Sequence, residues 1–173
     1  MILTEPRFSV MTISADHAQL GDLLAQSDAY FAALYPSDSN HLESLEALTA
    51  ARAAVFGIEQ NGQLIACGAV KIMSDDGNYG EIKRVFVRDA WRKHGCAASI
   101  MEKLHEYLRS ENIVLARLET GRHEPDTLRF YQKLGYQLRP PFGKYHADPY
   151  SVFMEKSLEP LAMTAHLRRN IGK

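Results

Sequence analysis

The chain has 173 residues, 46% of them hydrophobic and 24% charged, enough for one well-buried core and too few for two ordinary domains. Lys and Arg total 20 against 21 Asp and Glu, a formal net charge of -1, which lacks the global positive field of a dedicated nucleic-acid binder. No stretch reaches the roughly 18 to 20 apolar residues of a membrane span, Met1–Arg7 shows no leader pattern, and Cys67 and Cys96 form neither a disulfide framework nor a zinc motif; the expectation is a cytoplasmic protein with no membrane, nucleic-acid or metal partner.

In chain order, the alternation from Arg7 to Ile13 predicts a strand, and Ser14-Ala15-Asp16 suits the N-cap of a following helix. That helix carries Leu20, Leu23, Leu24 and Leu34 at helical spacing and breaks at Tyr35-Pro36. A second short helix is expected around Leu42, Leu45 and Leu48. Ala53–Glu59 and Gln63–Met73 read as strands joined by Asn61-Gly62, a strong hairpin signal, so they should pair antiparallel. Tyr79–Val87 is the next strand. Ala97, Ile100, Met101, Leu104 and Leu108 then mark a helix that begins near Gly95.

Ile113–Leu118 reads as a strand and Pro125–Leu134 as a helix with Gly135 as its C-terminal cap. Short strands are expected near Tyr136–Leu138 and Ser151–Glu155. This order predicts a mixed α/β (α+β) fold, a mostly antiparallel sheet flanked by helices. It lacks the strand-helix alternation of a doubly wound nucleotide fold. Residues 1–157 are expected to form a single domain, with 158–173 as a tail of some helical spacing.

The most informative segment is Val85-Phe86-Val87-Arg88-Asp89-Ala90-Trp91-Arg92-Lys93-His94-Gly95-Cys96-Ala97, where a strand feeds a basic, glycine-bearing turn into a helix. A helix start offers unpaired N–H groups and the positive end of the macrodipole, and Gly95 lets an anion approach the backbone. The turn matches neither a Walker loop nor G-x-G-x-x-G.

Arg92-Lys93-His94-Gly95-Cys96-Ala97 resembles the R/Q-x-x-G-x-G/A acyl-CoA loop of the GNAT superfamily of acetyltransferases. Glu124-Pro125-Asp126-Thr127-Leu128-Arg129-Phe130-Tyr131-Gln132-Lys133-Leu134-Gly135-Tyr136 is similar to that family's N-x-x-A-x-x-L-Y-x-K-x-G-F segment. The resemblance covers residues 7 to 156. It implies a GNAT-like sheet, acetyl-CoA as cosubstrate, and pantetheine on Val85, Phe86 and Val87. Pyrophosphate would lie on Arg92, Lys93, His94, Gly95, Cys96 and Ala97. Lys93 stands where Gly is common and adds a cation; Glu124 stands where many members have Asn, so no pantetheine contact is carried to it.

The family transfers acetyl directly from thioester to amine, which requires an ammonium to lose a proton, an oxyanion to be stabilised by backbone N–H groups and a departing thiolate to be protonated. Tyr131 matches the family's thiolate-protonating tyrosine; the alternative is a packed aromatic on an amphipathic helix. Glu81, on the strand that leads to the loop, is the candidate base, with Glu119 or a water chain as alternatives and pairing with Lys83 or Arg84 as the structural option. Cys96 and Cys67 read as small packed residues.

The family's acceptor pocket implicates Tyr35, Asn40, His41, Arg84, Glu119, Arg122 and Tyr145. These lie in stretches similar to a bacterial GNAT subgroup with Y-P-x-x-S-N-H, G-E-I-K-R, L-E-T-G and P-F-G-x-Y. Arg84 and Arg122 suit a carboxylate clamp or an internal salt bridge; His41 and His146 suit loop hydrogen bonds. The implied activity is acetylation of a primary amine of a small molecule through a ternary complex. Peptide acetylation and a non-catalytic acyl-CoA-binding module are the alternatives, and a homodimer is left open.

Overall fold

A computed structural model describes residues 8–49 and 52–160. Seven strands form one sheet in the order β1-β2-β3-β4-β5-β7-β6, with β1 Met11–Thr12, β2 Ala53–Gln60, β3 Gln63–Met73, β4 Tyr79–Val87, β5 Leu115–Gly121, β6 Gln137–Arg139 and β7 Ser151–Ser157. The helices are α1 Leu20–Leu34, α2 Leu45–Leu48, α3 Cys96–Ser110 and α4 Pro125–Lys133. The pairs β1/β2, β2/β3, β5/β7 and β6/β7 are antiparallel, as expected for a mixed, largely antiparallel α/β sheet. The chain divides into two compact units. The first runs to Lys71 and resumes over Ile82–Leu104; the second comprises Ile72–Glu81 and the chain from His105 onward.

In the first unit the Asn61-Gly62 turn closes β2 on β3 as expected. Both residues are left-handed, at φ 51° and 77°, and Gln60 pairs with Gln63, the geometry that matches strand twist. Leu20, Leu23 and Leu24 of α1 pack with Val55, Leu64, Cys67, Ala69 and Phe86. The start of α1 corrects the sequence expectation. Ser14 bonds Asp16 within a turn closed by His17 N–H on Ser14 O, and the helix begins four residues beyond Asp16. Its N-cap, Gln19, instead ties the hairpin: its side chain donates to Gly62 O at 2.8 Å and accepts from Leu64 N–H at 2.8 Å.

The first strand is also shorter than expected, because Phe8 lies outside it with its ring edge against Trp91. α2 is a single turn capped by Ser44 Oγ, which accepts from Ala47 N–H, so Leu42 precedes it. Arg7 and the opening residues lie outside the described residues.

In the second unit β5 starts two residues later than Ile113. Asn112 is left-handed at φ 58°, and Ile113 N–H donates to Leu108 O at 2.9 Å. This closes the C-terminus of α3 in a Schellman-type cap and withdraws the β-branched pair Ile113-Val114 from the strand. Gly135, at φ 96°, ends α4 as expected. Leu158 is buried and donates to Val114 O; the rest of the expected tail, 161–173, lies outside the described residues. None of the helices among the described residues is long and apolar enough to cross a membrane.

His105, 5% exposed, shares a 2.7 Å hydrogen bond with the Tyr136 hydroxyl. Burial, reinforced by the charges of Lys156 and Arg109, pulls its pKa down to about 4. An unfolded histidine titrates near 6.5, so the unfolded chain binds this proton first as pH drops. Stability is therefore expected to fall by roughly 3 kcal/mol between about pH 6.5 and pH 4 on account of this residue. His105→Gln should flatten that part of the profile, as urea melts across the window will show.

Candidate active site

In the first unit β4 ends at Val87 and passes through a 3-10 turn, Asp89–Trp91, into the basic loop. Arg88 holds this passage down: its Nε donates to Leu64 O at 2.7 Å, and its NH2 lies 3.1 Å from Asp22 Oδ2. Lys93 and Gly95 both have left-handed backbones, φ 63° and 88°, and Gly95 O accepts from Ser99 N–H. The N–H groups that follow open α3 and have no partner within the helix. Lys93 and His94 are exposed, Ala97 half-buried and Cys96 buried.

Arg92 donates from Nε to Val87 O at 3.1 Å. Its guanidinium lies 4.7 Å from the Tyr30 ring centroid and 5.4 Å from that of Phe86. Val87 and Phe86 thus brace the loop cation, a contact the motif alone does not announce. Tyr30 carries no motif signal in the sequence; it stands seven residues from Leu23, on the same face of α1. Burial pushes the Cys96 thiol above its ordinary range and the Cys67 thiol up to about 12, so both stay protonated and poorly nucleophilic at neutral pH.

Arg84 has a left-handed backbone, φ 57°, inside β4. Its side chain is buried, NH1 donating to Asp28 Oδ1 at 2.6 Å and NH2 to Leu24 O at 3.3 Å. Of the two sequence readings, the structure contains the internal salt bridge. Lys83 stands 3.9 Å from Glu43. Tyr35 is buried and stacks on Phe31 at 6.4 Å, Asn40 caps a 3-10 turn through its N–H on Ser37 O, and His41 is exposed.

In the second unit Glu81 is 6% exposed and accepts a 2.6 Å hydrogen bond from the Tyr145 hydroxyl. The resemblance places Tyr145 among the acceptor contacts, and its bond to Glu81 carries no signal in the sequence. Tyr131, 7% exposed on α4, packs edge-on against Tyr136 at 5.7 Å. Burial first, and then the negative charge of Glu124, raises the Tyr131 phenol well above its ordinary range, so it carries its proton at every working pH. Glu119 accepts from Ser151 Oγ at 3.2 Å. Arg122 donates from Nε to Pro149 O and lines a cavity of about 390 Å³ with Leu128, Arg139, Asp148 and Phe153. His146 is exposed.

Residues 21–136 match the acetyltransferase (GNAT) family model, and the chain belongs to that family and is an acetyl-CoA-dependent acetyltransferase. It is 35% identical over 136 residues to the IAA acetyltransferase of Azospirillum brasilense, covering 79% of this chain and 88% of that one. It is 31% identical over 126 residues to the uncharacterized N-acetyltransferase YsnE of Bacillus subtilis, covering 71% and 82%. Among solved structures, a candidate acyl-CoA N-acyltransferase from Klebsiella pneumoniae matches with TM-score 0.72 and 29% identity over 88% of this chain and 98% of that one. PaiA N-acetyltransferase from Thermoplasma acidophilum, crystallised with coenzyme A, shares the fold with TM-score 0.69 at 16% identity, over 87% and 98%.

Proposed function

We propose that the protein transfers an acetyl group from acetyl-CoA directly to a primary amine of a small molecule, within a ternary complex. The observation that carries the reading is the buried Glu81 carboxylate held by Tyr145 at 2.6 Å, because an ammonium must lose a proton before it can attack. Pyrophosphate binds the N–H groups of His94–Ala97 with charge from Arg92, and pantetheine runs along Val85–Val87. Glu81 takes the amine proton directly or through one water. The nitrogen attacks the thioester carbonyl and backbone N–H groups stabilise the oxyanion; as the intermediate collapses the C–S bond breaks, Tyr131 gives its proton to the departing sulfur, and the second proton shed by the nitrogen restores the Tyr131 phenol through solvent. Two buried free thiols support a reducing, cytoplasmic site of action.

Glu81→Gln is expected to cost activity most at neutral pH, and the defect should shrink as rising pH supplies free amine unaided. A structural Glu81 gives instead a pH-independent loss with a lowered Tm; kcat/KM from about pH 6 to pH 10 separates the two. The reading as a whole is tested by free-thiol release from acetyl-CoA with amino acids, linear polyamines, arylalkylamines and IAA, each product confirmed by mass. Turnover of a primary amine to its N-acetyl derivative is expected. Thiol release only with peptides, or with no acceptor at all, overturns it.

A further inference from the structure

The loop that leaves β6 carries a hydroxyl to the Glu81 carboxylate, and the chain fixes that loop at Phe142, Gly143 and Tyr145. Phe142 is 1% exposed, with its ring edge-on to Tyr79 at 5.4 Å, Phe153 at 5.7 Å and Tyr145 at 5.2 Å. Gly143 is left-handed at φ 56°, and a Cβ there would stand 2.8 Å from both Asp75 Oδ2 and the Tyr79 hydroxyl oxygen. Tyr145 closes the turn by donating its N–H to Phe142 O at 3.0 Å.

The wall behind the turn is itself braced. Tyr79 donates to Asp75 Oδ1 at 2.7 Å. Arg117 lies over the Tyr79 ring at 4.5 Å and reaches Glu155 at 2.7 Å and Asp76 O at 2.9 Å. A glycine backbone wedged against two polar groups leaves the turn little freedom. The Tyr145 ring, 5.4 Å from Phe153, then has its direction set, and its hydroxyl meets Glu81 Oε1 at 2.6 Å.

We propose that Tyr145 is a positioning residue for the amine-activating carboxylate, holding Glu81 through Oε1 in one orientation, and that the Gly143 turn places its hydroxyl. This rests on Glu81 serving as the base. A carboxylate that loses this short hydrogen bond to Oε1 is less tightly oriented toward the acceptor, so loss of the hydroxyl lowers kcat and spares the binding of acetyl-CoA.

The test is a double-mutant cycle of Tyr145→Phe with Glu81→Gln. It is followed in kcat with the fastest amine of the panel, in KM for acetyl-CoA and in urea-melt stability. Tyr145→Phe is expected to lower kcat roughly five- to fifty-fold with KM for acetyl-CoA unchanged, and to change kcat less than about twofold once Glu81 is Gln. Gly143→Ala should reproduce the kcat defect; if it fails to fold, the Tyr145 and Glu81 cycle still decides. Equal losses from Tyr145→Phe in both backgrounds overturn the positioning role while leaving Glu81 as base. Wild-type kcat in Glu81→Gln, or an absence of amine turnover, removes the underlying reading and the positioning role with it; stability coupling in the cycle still tells whether the Tyr145–Glu81 contact exists.

Discussion

Replacing Tyr131 by Phe is expected to lower kcat by roughly ten- to a thousand-fold while leaving acetyl-CoA affinity nearly intact. The substitution removes one oxygen and keeps the ring, so the edge-on packing against Tyr136 at 5.7 Å and the fold should persist. In the proposed mechanism the hydroxyl acts late, when negative charge collects on the departing sulfur. Burial and the Glu124 charge hold the phenol protonated, as the proposed donor role requires. Steady-state kinetics on a confirmed amine will check this, and a variant with wild-type kcat would transfer the role to water or another group.

Gly95→Val should weaken acetyl-CoA binding by roughly ten- to a hundred-fold. Two effects act together. At φ 88° a β-branched side chain is strained, which would shift the N–H groups opening α3, and its methyls would stand in the approach proposed for the pyrophosphate. Calorimetry measures the affinity, with circular dichroism confirming that the variant is folded. Unchanged affinity in a folded variant would remove the pyrophosphate from this loop.

Much of the architecture is legible in the sequence where local chemistry and tertiary packing agree. Asn61-Gly62 specifies a turn that strand twist also demands, and Ile100, Met101, Leu104 and Leu108 of α3 are all fully buried, as their spacing predicts. The reading slips where a residue serves two masters. Ser14 and Asp16 have good capping side chains, yet they bond each other, while Gln19, a poor cap, ties the β2–β3 turn. Ile113 and Val114 favour a strand by propensity, but the left-handed Asn112 commits the Ile113 N–H to finishing a helix.

Individual candidate residues were legible, and their partners were not. Glu81 and Tyr131 follow from position relative to two motifs, whereas the Tyr145 hydroxyl on Glu81 joins residues 64 positions apart, beyond any local period. Arg84 shows the same limit: a basic residue on a strand reads equally as a ligand clamp or an ion-pair member. Its ion-pair partner, Asp28, lies 56 positions away. His105 is one polar residue on the apolar face of α3, and only the fold supplies the Tyr136 hydroxyl that satisfies it.

Direct transfer from thioester to amine is the account's central claim, and two-substrate initial-rate kinetics, with the intact mass of the protein after incubation with acetyl-CoA alone, tests it most directly. Double-reciprocal lines that intersect, with no mass added to the chain, are the predicted result, since Cys96 is buried and its thiol stays protonated. Parallel lines together with an acetylated enzyme would contradict the account and replace the ternary complex with a covalent intermediate.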